Sequence, residues 1–196
     1  TGDMRISGTC ASLAGLEKAL DENDALQIEY SIRRILLLHG IIALSGGIPL
    51  LYLGDEIGTL NDYTYRDDPV KANDSRWVHR PHFDWARAAS RHDPAAVPGK
   101  IYLGLKQLLE LRRAHEIFFG GKMRVRDTGS EHVFAFERHN GSRVLVLANF
   151  SETPQRIADA ALRLQLTDAQ ILYGGELLLP ALVLAPYAFI VAFSQP

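Results

Sequence analysis

The residues best suited to chemistry lie between Gly47 and Pro81, in GIPLLYLGDEIGTLNDYTYRDDPVKANDSRWVHRP. A short apolar run, Ile48 to Leu53, stops at Gly54-Asp55-Glu56, and a polar loop follows with Asp74, Arg76, Trp77, His79 and Arg80. Charged groups just beyond the C-terminal end of a buried strand are where α/β folds build their sites. Arg76 is the strongest candidate. A guanidinium takes a carboxylate bidentately, and its planar fork also donates to hydroxyls. Two readings stand for it, a ligand contact and a solvated surface ion pair. Asp74, two residues earlier, orients the loop or Arg76 rather than doing chemistry. Asp55 and Glu56 read as structural groups at a strand end. His79, His82 and His92 lack regular ligand spacing, so no metal site is expected. His39 sits mid-helix among leucines and reads as a hydrogen-bonded core histidine. Cys10 reads as an ordinary small residue.

Several elements must position these groups. The first residues, TGDMRISGTCASLAGLEKALDEN, read as loop and then a short helix from about Ser12 to Leu20. That is too little apolar surface to fold alone. Asp24 is a favoured cap for a helix running to about Leu44, because its side-chain oxygen satisfies a free backbone N–H. Ile28, Ile32, Ile35, Leu36 and Leu38 fall at helical spacing, and ILLLHGIIAL is apolar nearly all round, which predicts burial on more than one side. Gly46-Gly47 ends the helix. The run Ile48 to Leu53, bounded by Gly and Pro, reads as a strand buried on both faces. Helix, turn and strand make one αβ unit of a parallel sheet or barrel.

The loop from Thr59 to Pro98 is about forty residues long, well past the ~12–15 at which a loop is usually functional or disordered. It holds Trp77, Trp85, Phe83, Tyr63 and Tyr65, and disordered segments are poor in aromatics, so an ordered loop is expected. Pro98 suits the first turn of a helix to about His115. Ile101, Leu105, Leu108 and Leu109 make its buried stripe, extended by Leu111, with Lys106, Glu110, Arg112 and Arg113 on the wet face. After Gly120-Gly121 the pattern alternates. Strands are expected at Met123–Asp127, His132–Arg138, Arg143–Phe150, Ala169–Tyr173, Glu176–Leu179 and Phe189–Phe193, with Asn140-Gly141 as a hairpin turn. Such strands build an antiparallel sheet or sandwich, and the boundary between the two parts lies near His115 to Gly121.

Bulk properties narrow the classes. The chain has 196 residues, 47% hydrophobic and 22% charged, which is ordinary for a globular protein. A net charge of -2 argues against nucleic-acid or anionic-membrane partners. One cysteine excludes an intrachain disulfide framework and a cysteine-rich zinc site. Polar residues and glycines break the stretch from Ile35 to Leu53, so it is not a membrane span. No signal-peptide pattern opens the chain, and a cytoplasmic setting is expected. Thr1 is not a natural start, so a piece of a longer protein is expected. Neither G-x-G-x-x-G nor G-K-[ST] occurs in a strand-to-helix turn, which removes P-loop and dinucleotide readings.

GIPLLYLGDEIG, a loop holding DSRWVHRP, a helix and a small β region together resemble the α-amylase family of retaining glycoside hydrolases. RISGTCASLAG ahead of the long helix, YLGDEIGTLNDYTY, NDSRWVHRP and the late LVLANFSETPQ resemble its amylosucrase and sucrose hydrolase branch. The resemblance covers essentially the whole chain. It implies the last part of a (β/α)8 TIM barrel followed by a C-terminal antiparallel β-sandwich domain. Residues 1–23 would end the insertion after barrel strand 7. Residues 24–117 would be the last αβ units with a long loop after strand 8, and 118–196 the β-sandwich domain.

The activity implied is a sucrose-using glucosyl transfer that releases fructose and extends an α-1,4-glucan by retaining double displacement. Its nearest rival is sucrose hydrolysis, and a rival of another class is a non-catalytic carbohydrate-binding module. The implied partners are sucrose, an α-glucan acceptor and the missing N-terminal part of the same barrel, with no cofactor. The chemistry needs two carboxyls ~5–5.5 Å apart. In the family these lie in a G-x-R-x-D motif and on a following Glu strand, and a His-Asp pair supports the transition state. None of these motifs occurs here, and in Gly2-Asp3-Met4-Arg5 the Arg and Asp are reversed. No catalytic residue is therefore expected on this chain. Arg76 matches an arginine that pairs with an upstream aspartate and closes the pocket beneath the glucosyl ring. Arg5 matches an arginine of the inserted region near the acceptor side; its other reading is a solvated loop arginine. Asp55 and Glu56 match carboxylates that brace the barrel top, with Asp74 in support. Trp77 and Trp85 would stack on sugar faces or serve as loop anchors.

Overall fold

The computed structural model describes residues 6–167, 169–174 and 182–194. They divide into two compact units. The first holds the residues up to Ile35 and Leu51–Gly104, and the second Leu36–Leu50 and the residues from Leu105 on. Arg5 and the strand expected at Glu176–Leu179 lie outside the described residues. No described helix is long and apolar enough to cross a membrane.

In the first unit the expected single helix is two, α1 (Cys10–Leu13) and α2 (Leu16–Asp21). Gly15, at a φ of 91°, turns the chain between them. Such a φ is open to glycine at little cost. Thr9 caps α1 by accepting from the Ser12 N–H at 3.2 Å. Helix α3 (Ala25–Leu44) starts where expected, because Asp24 accepts from the N–H groups of Leu26 and Gln27 at 3.0 and 3.1 Å. Its first half buries Ile32 and Ile35.

The long loop is ordered by its own aspartates. Asp62, Asp68, Asp74, Asp84 and Asp93 accept from the N–H of Thr64, Val70, Arg76, Arg87 and Ala95 at 2.8–3.0 Å. Each side chain closes a tight local turn and so replaces a regular ladder. Between them lie 3-10 turns at Asp55–Ile57, Thr64–Asp67 and Ser75–His79, then helix α4 (Trp85–Ala89). Helix α5 (Val97–Ala114) follows, with Pro98 in its first turn.

The run Ile48 to Leu53 corrects the expectation of a buried strand. It forms no strand, and Ile48, Leu50 and Leu53 are 96%, 82% and 71% exposed. A parallel strand is held by neighbours on both sides, and among the described residues none pairs with this run. No barrel is seen.

The second unit is built on an antiparallel sheet of β1 (Lys122–Arg126), β2 (Val133–Asn140), β3 (Ser142–Asn149), β5 (Gln170–Tyr173) and β7 (Phe189–Ser194), where β4 (Gln155–Arg156) and β6 (Val183–Leu184) form a separate ladder. The sheet order is β1-β2-β3-β7-β5. Asn140 faces Ser142 across the expected hairpin, with Gly141 at a φ of 76°. Period-2 alternation sends Val133, Ala135, Leu145, Leu147, Ile190 and Ala192 into one core. Helix α7 (Ala160–Thr167) covers that face with Leu162 and Leu166, beside Ile157, Leu182 and Leu184. The second layer expected of a sandwich is thus, among the described residues, a two-stranded ladder plus a helix that the alternation did not show.

The opposite face carries Phe136, Val144, Val146 and Val191, all buried. The C-terminal half of α3 reaches this sheet at Gly40, where a Cβ would lie 2.5 Å from Phe189 Cε1. Helix α6 (Ile117–Gly120) packs on β2 and β3. Leu38 and Ile42 stay exposed, so the second half of α3 is not buried all round. Leu109 is exposed too and leaves the expected stripe of α5. Arg112 leaves the wet face: it donates to the carbonyls of Ala43 and Gly47 at the end of α3. His39 is buried in this unit, as a core histidine should be.

Candidate functional site

All groups in this section belong to the first unit. The turn after the apolar run is tight. Gly54 and Gly58, at φ of 98° and 63°, flank the 3-10 turn Asp55–Ile57. The Gly54 N–H donates to Glu56 Oε2 at 2.7 Å and the Thr59 N–H to the Gly54 carbonyl at 2.9 Å. Glu56 therefore closes its own turn. Ile57 beneath is fully buried, and its carbonyl accepts from Arg87 Nε at 2.8 Å. Burial holds the Arg87 guanidinium below the usual arginine range, and the charge of Asp84 opposes that shift. Burial pushes the Cys10 thiol up to about 11, helped by the charge of Asp55.

Arg76 and Asp74 come together. Asp74 caps the turn Ser75–His79, and Arg76 folds back onto its carboxylate. Arg76 Nε donates to Asp74 Oδ1 at 2.8 Å, and Nη2 donates to Oδ2 at 2.8 Å. This bidentate pair is exposed, with 55% of the Arg76 side chain open to solvent. The hydrogen bonds from Arg76 hold the Asp74 carboxyl down at about 2, and the same bonds raise Arg76. Among the described residues Nη1 of Arg76 has no hydrogen-bond partner, so it is free to donate to a ligand oxygen.

The two tryptophans differ. Trp77 is half-buried, with Lys71 Nζ and the Arg80 guanidinium 5.1 and 5.4 Å from its ring centre. That is a loop anchor. Trp85 is 77% exposed and meets Phe83 edge-on at 4.7 Å. His92 packs edge-on against Tyr102 at 5.3 Å, and Nδ1 of His79 is buried with no partner among the described residues.

Sequence reasoning missed Asn61. Its Oδ1 accepts from the Thr9 N–H at 2.8 Å, and its Nδ2 donates to Glu17 Oε2 and Tyr63 Oη at 3.1 and 3.0 Å. These contacts tie the segment before α3 to the start of the long loop. An asparagine in a polar loop is no signal by itself, and Thr9 lies 52 positions away.

No family model matches the chain. Its fold is similar to several solved structures. A trehalose-6-phosphate hydrolase of Bacillus licheniformis matches 84% of this chain at 20% identity, with a TM-score of 0.62. An isomaltulose synthase from Klebsiella sp. LX3 matches 82% at 18% identity, with a TM-score of 0.56. The trehalulose synthase from Pseudomonas mesoacidophila MX-45 matches 82% at 17% identity, with a TM-score of 0.59, and a variant of that synthase was solved with its substrate sucrose. The chain spans only 39%, 38% and 38% of the length of these three proteins. In fold, then, this chain is similar to a part of the α-amylase-family (glycoside hydrolase family 13) enzymes.

Proposed function

We propose that this chain is part of a sucrose-using α-glucosyltransferase of the amylosucrase type. One observation carries the reading. The ordered motifs YLGDEIGTLNDYTY, NDSRWVHRP and LVLANFSETPQ occur on a chain whose fold is similar to part of the α-amylase-family enzymes. The bare apolar run Ile48 to Leu53 supports it, since an inner barrel strand is apolar on both faces and pairs on both edges. On this reading residues 1–23 end an insertion after the seventh strand. Residues 24–117 supply the last αβ units and the loop after the eighth strand, and 118–196 form the C-terminal domain built on the antiparallel sheet.

The reaction follows from the chemistry of acetals. One carboxylate attacks the anomeric carbon of the glucosyl unit while a second carboxyl protonates the departing fructose oxygen. A glucan hydroxyl then attacks the glucosyl ester, giving its proton to the second carboxylate and restoring the first. Both carboxyls belong to sequence outside this chain. This chain contributes the pocket wall. Arg76, oriented by Asp74, donates to glucosyl hydroxyls or to an upstream carboxylate. On this reading Arg5 would serve the acceptor, and Asp55 and Glu56 would brace the turn beneath.

The test is to give the full-length enzyme sucrose and follow fructose, glucose and insoluble glucan. Fructose in excess of glucose, with glucan formed, is expected. Equal glucose and fructose without glucan would replace transfer by hydrolysis. Sucrose left intact would reject the reading.

A further inference from the structure

Asn61 makes more directional contacts than its place in a loop requires. Its oxygen holds the Thr9 N–H, and both hydrogens of its nitrogen are used, toward Glu17 and Tyr63. Its backbone N–H donates to Ser12 Oγ at 3.0 Å. Tyr63 Oη donates in turn to Glu17 Oε2 at 3.1 Å, which closes a ring of three side chains. One acceptor and two donors on so short a stem are particular to asparagine. Aspartate offers no donor, and glutamine reaches a methylene too far.

The next residue continues the connection. The Asp62 N–H donates to the Val78 carbonyl at 2.8 Å, and Val78 is buried. Val78 belongs to the turn Ser75–His79 that presents Arg76. An unbroken path therefore runs from Thr9 and Glu17 through Asn61, Asp62 and Val78 to the Asp74–Arg76 pair.

We infer that Asn61 is a positioning residue: it locks the segment Thr9–Glu17 to the long loop and, through the Asp62–Val78 bond, sets where Arg76 stands. The inference rests on the proposed role of Arg76 at a glucosyl pocket. It goes beyond that role by naming the group that makes the pocket arginine answer to the segment before α3.

Asn61→Asp separates positioning from bulk stability. The variant keeps the oxygen that holds Thr9 and the shape of the side chain. It sets a carboxylate against Glu17 Oε2, where the amide nitrogen stood 3.1 Å away. Tyr63 Oη and Ser12 Oγ also meet residue 61, Asp62 is next in the chain, and the Arg66 guanidinium lies 5.0 Å from the Tyr63 ring centre. Two facing carboxylates repel, and acidification relieves the repulsion by letting the pair share a proton. The contact should then be remade as an O–H···O bond.

The full-length enzyme is assayed with sucrose from pH 5 to 8 beside the parent. For Asn61→Asp, KM should rise at pH 8 and return toward the parent value at pH 5, with kcat changing less. Adding Glu17→Gln should restore KM at every pH, because the amide nitrogen, standing in place of Glu17 Oε2, donates both to the carboxylate introduced at position 61 and to Tyr63 Oη, whose hydroxyl then turns to donate to that carboxylate. A KM profile identical to the parent, or a loss that Glu17→Gln does not rescue, overturns the inference. Arg76→Ala in the same assay tells the two failures apart. If Arg76→Ala leaves KM unchanged, the pocket reading fails and this inference with it. If Arg76→Ala raises KM and Asn61→Asp does not, the inference alone fails.

Discussion

Arg138 Nη1 donates to the Ser45 carbonyl at 2.7 Å, joining strand β2 to the end of helix α3 across 93 positions of sequence. The arginine is 4% exposed, and its Nε and Nη2 donate to the Ile117 carbonyl at 3.3 and 3.2 Å. Arg112 holds the Gly47 carbonyl at 2.6 Å on the same helix end. Helix C-termini leave carbonyls unpaired and attract cations. Arg138→Met should therefore cost about 2–4 kcal/mol, since it strands buried carbonyls that a charged donor had satisfied. Urea unfolding measures it, and an unchanged midpoint would show that water satisfies those groups equally well.

Gly40 should not tolerate alanine. In an open helix that change gains up to ~1 kcal/mol. Here the added methyl would stand 2.5 Å from Phe189 Cε1 and 2.6 Å from Cζ. Overpacking of this kind typically costs about 1–3 kcal/mol, so the net sign should be destabilising. Phe189→Leu should remove much of the penalty, which a double-mutant thermal series would read as strong non-additivity.

The Asp74–Arg76 bridge should survive deep into acid. The carboxyl of Asp74 lies below its ordinary value of 3.8, at about 2, because Arg76 donates to the charged form. A depressed carboxylate contributes whatever it contributes above its unfolded value and loses it as pH falls through the folded one. The bridge should thus be intact at pH 4 and open near pH 2. Carbon-13 NMR of the Asp74 carboxyl follows this directly, and titration at the ordinary aspartate value would contradict the geometry.

Cys10 should be a poor nucleophile. Its thiol is raised to about 11 by burial and by the charge of Asp55. Thiolate is the reactive form, so alkylation by iodoacetamide should be slow at pH 8 and climb steeply toward pH 11. Asp55→Asn should speed it at fixed pH by removing one of the two causes. Rapid labelling at pH 7 in the parent would count against both causes.

How much of this is legible in the sequence varies by element. The start of α3 at Asp24, its stop at Gly46-Gly47, the start of α5 near Pro98 and the hairpin at Asn140-Gly141 are readable. Each depends on backbone preferences of a few adjacent residues. The aromatics of the long loop announce that it is ordered, while its aspartates, set at the start of turn after turn, supply the physical cause. Helix α7 is readable in principle, with Asp159 accepting from the Leu162 N–H at 2.8 Å, but it lies between strands and is short.

Composition and local pattern on their own determined the two long helices α3 and α5, the hairpin turn, the change from helical to alternating rhythm and the candidate arginine with its aspartate. Tertiary structure alone decided which groups far apart in sequence meet. It put Arg138 and Arg112 on the end of α3, Asn61 between Thr9 and Glu17, and Gly40 against Phe189. It also left Ile48, Leu50 and Leu53 bare. The reason is that a cap or a turn is satisfied within a few residues, whereas a buried donor or an inner strand is satisfied only by partners whose position no local preference encodes.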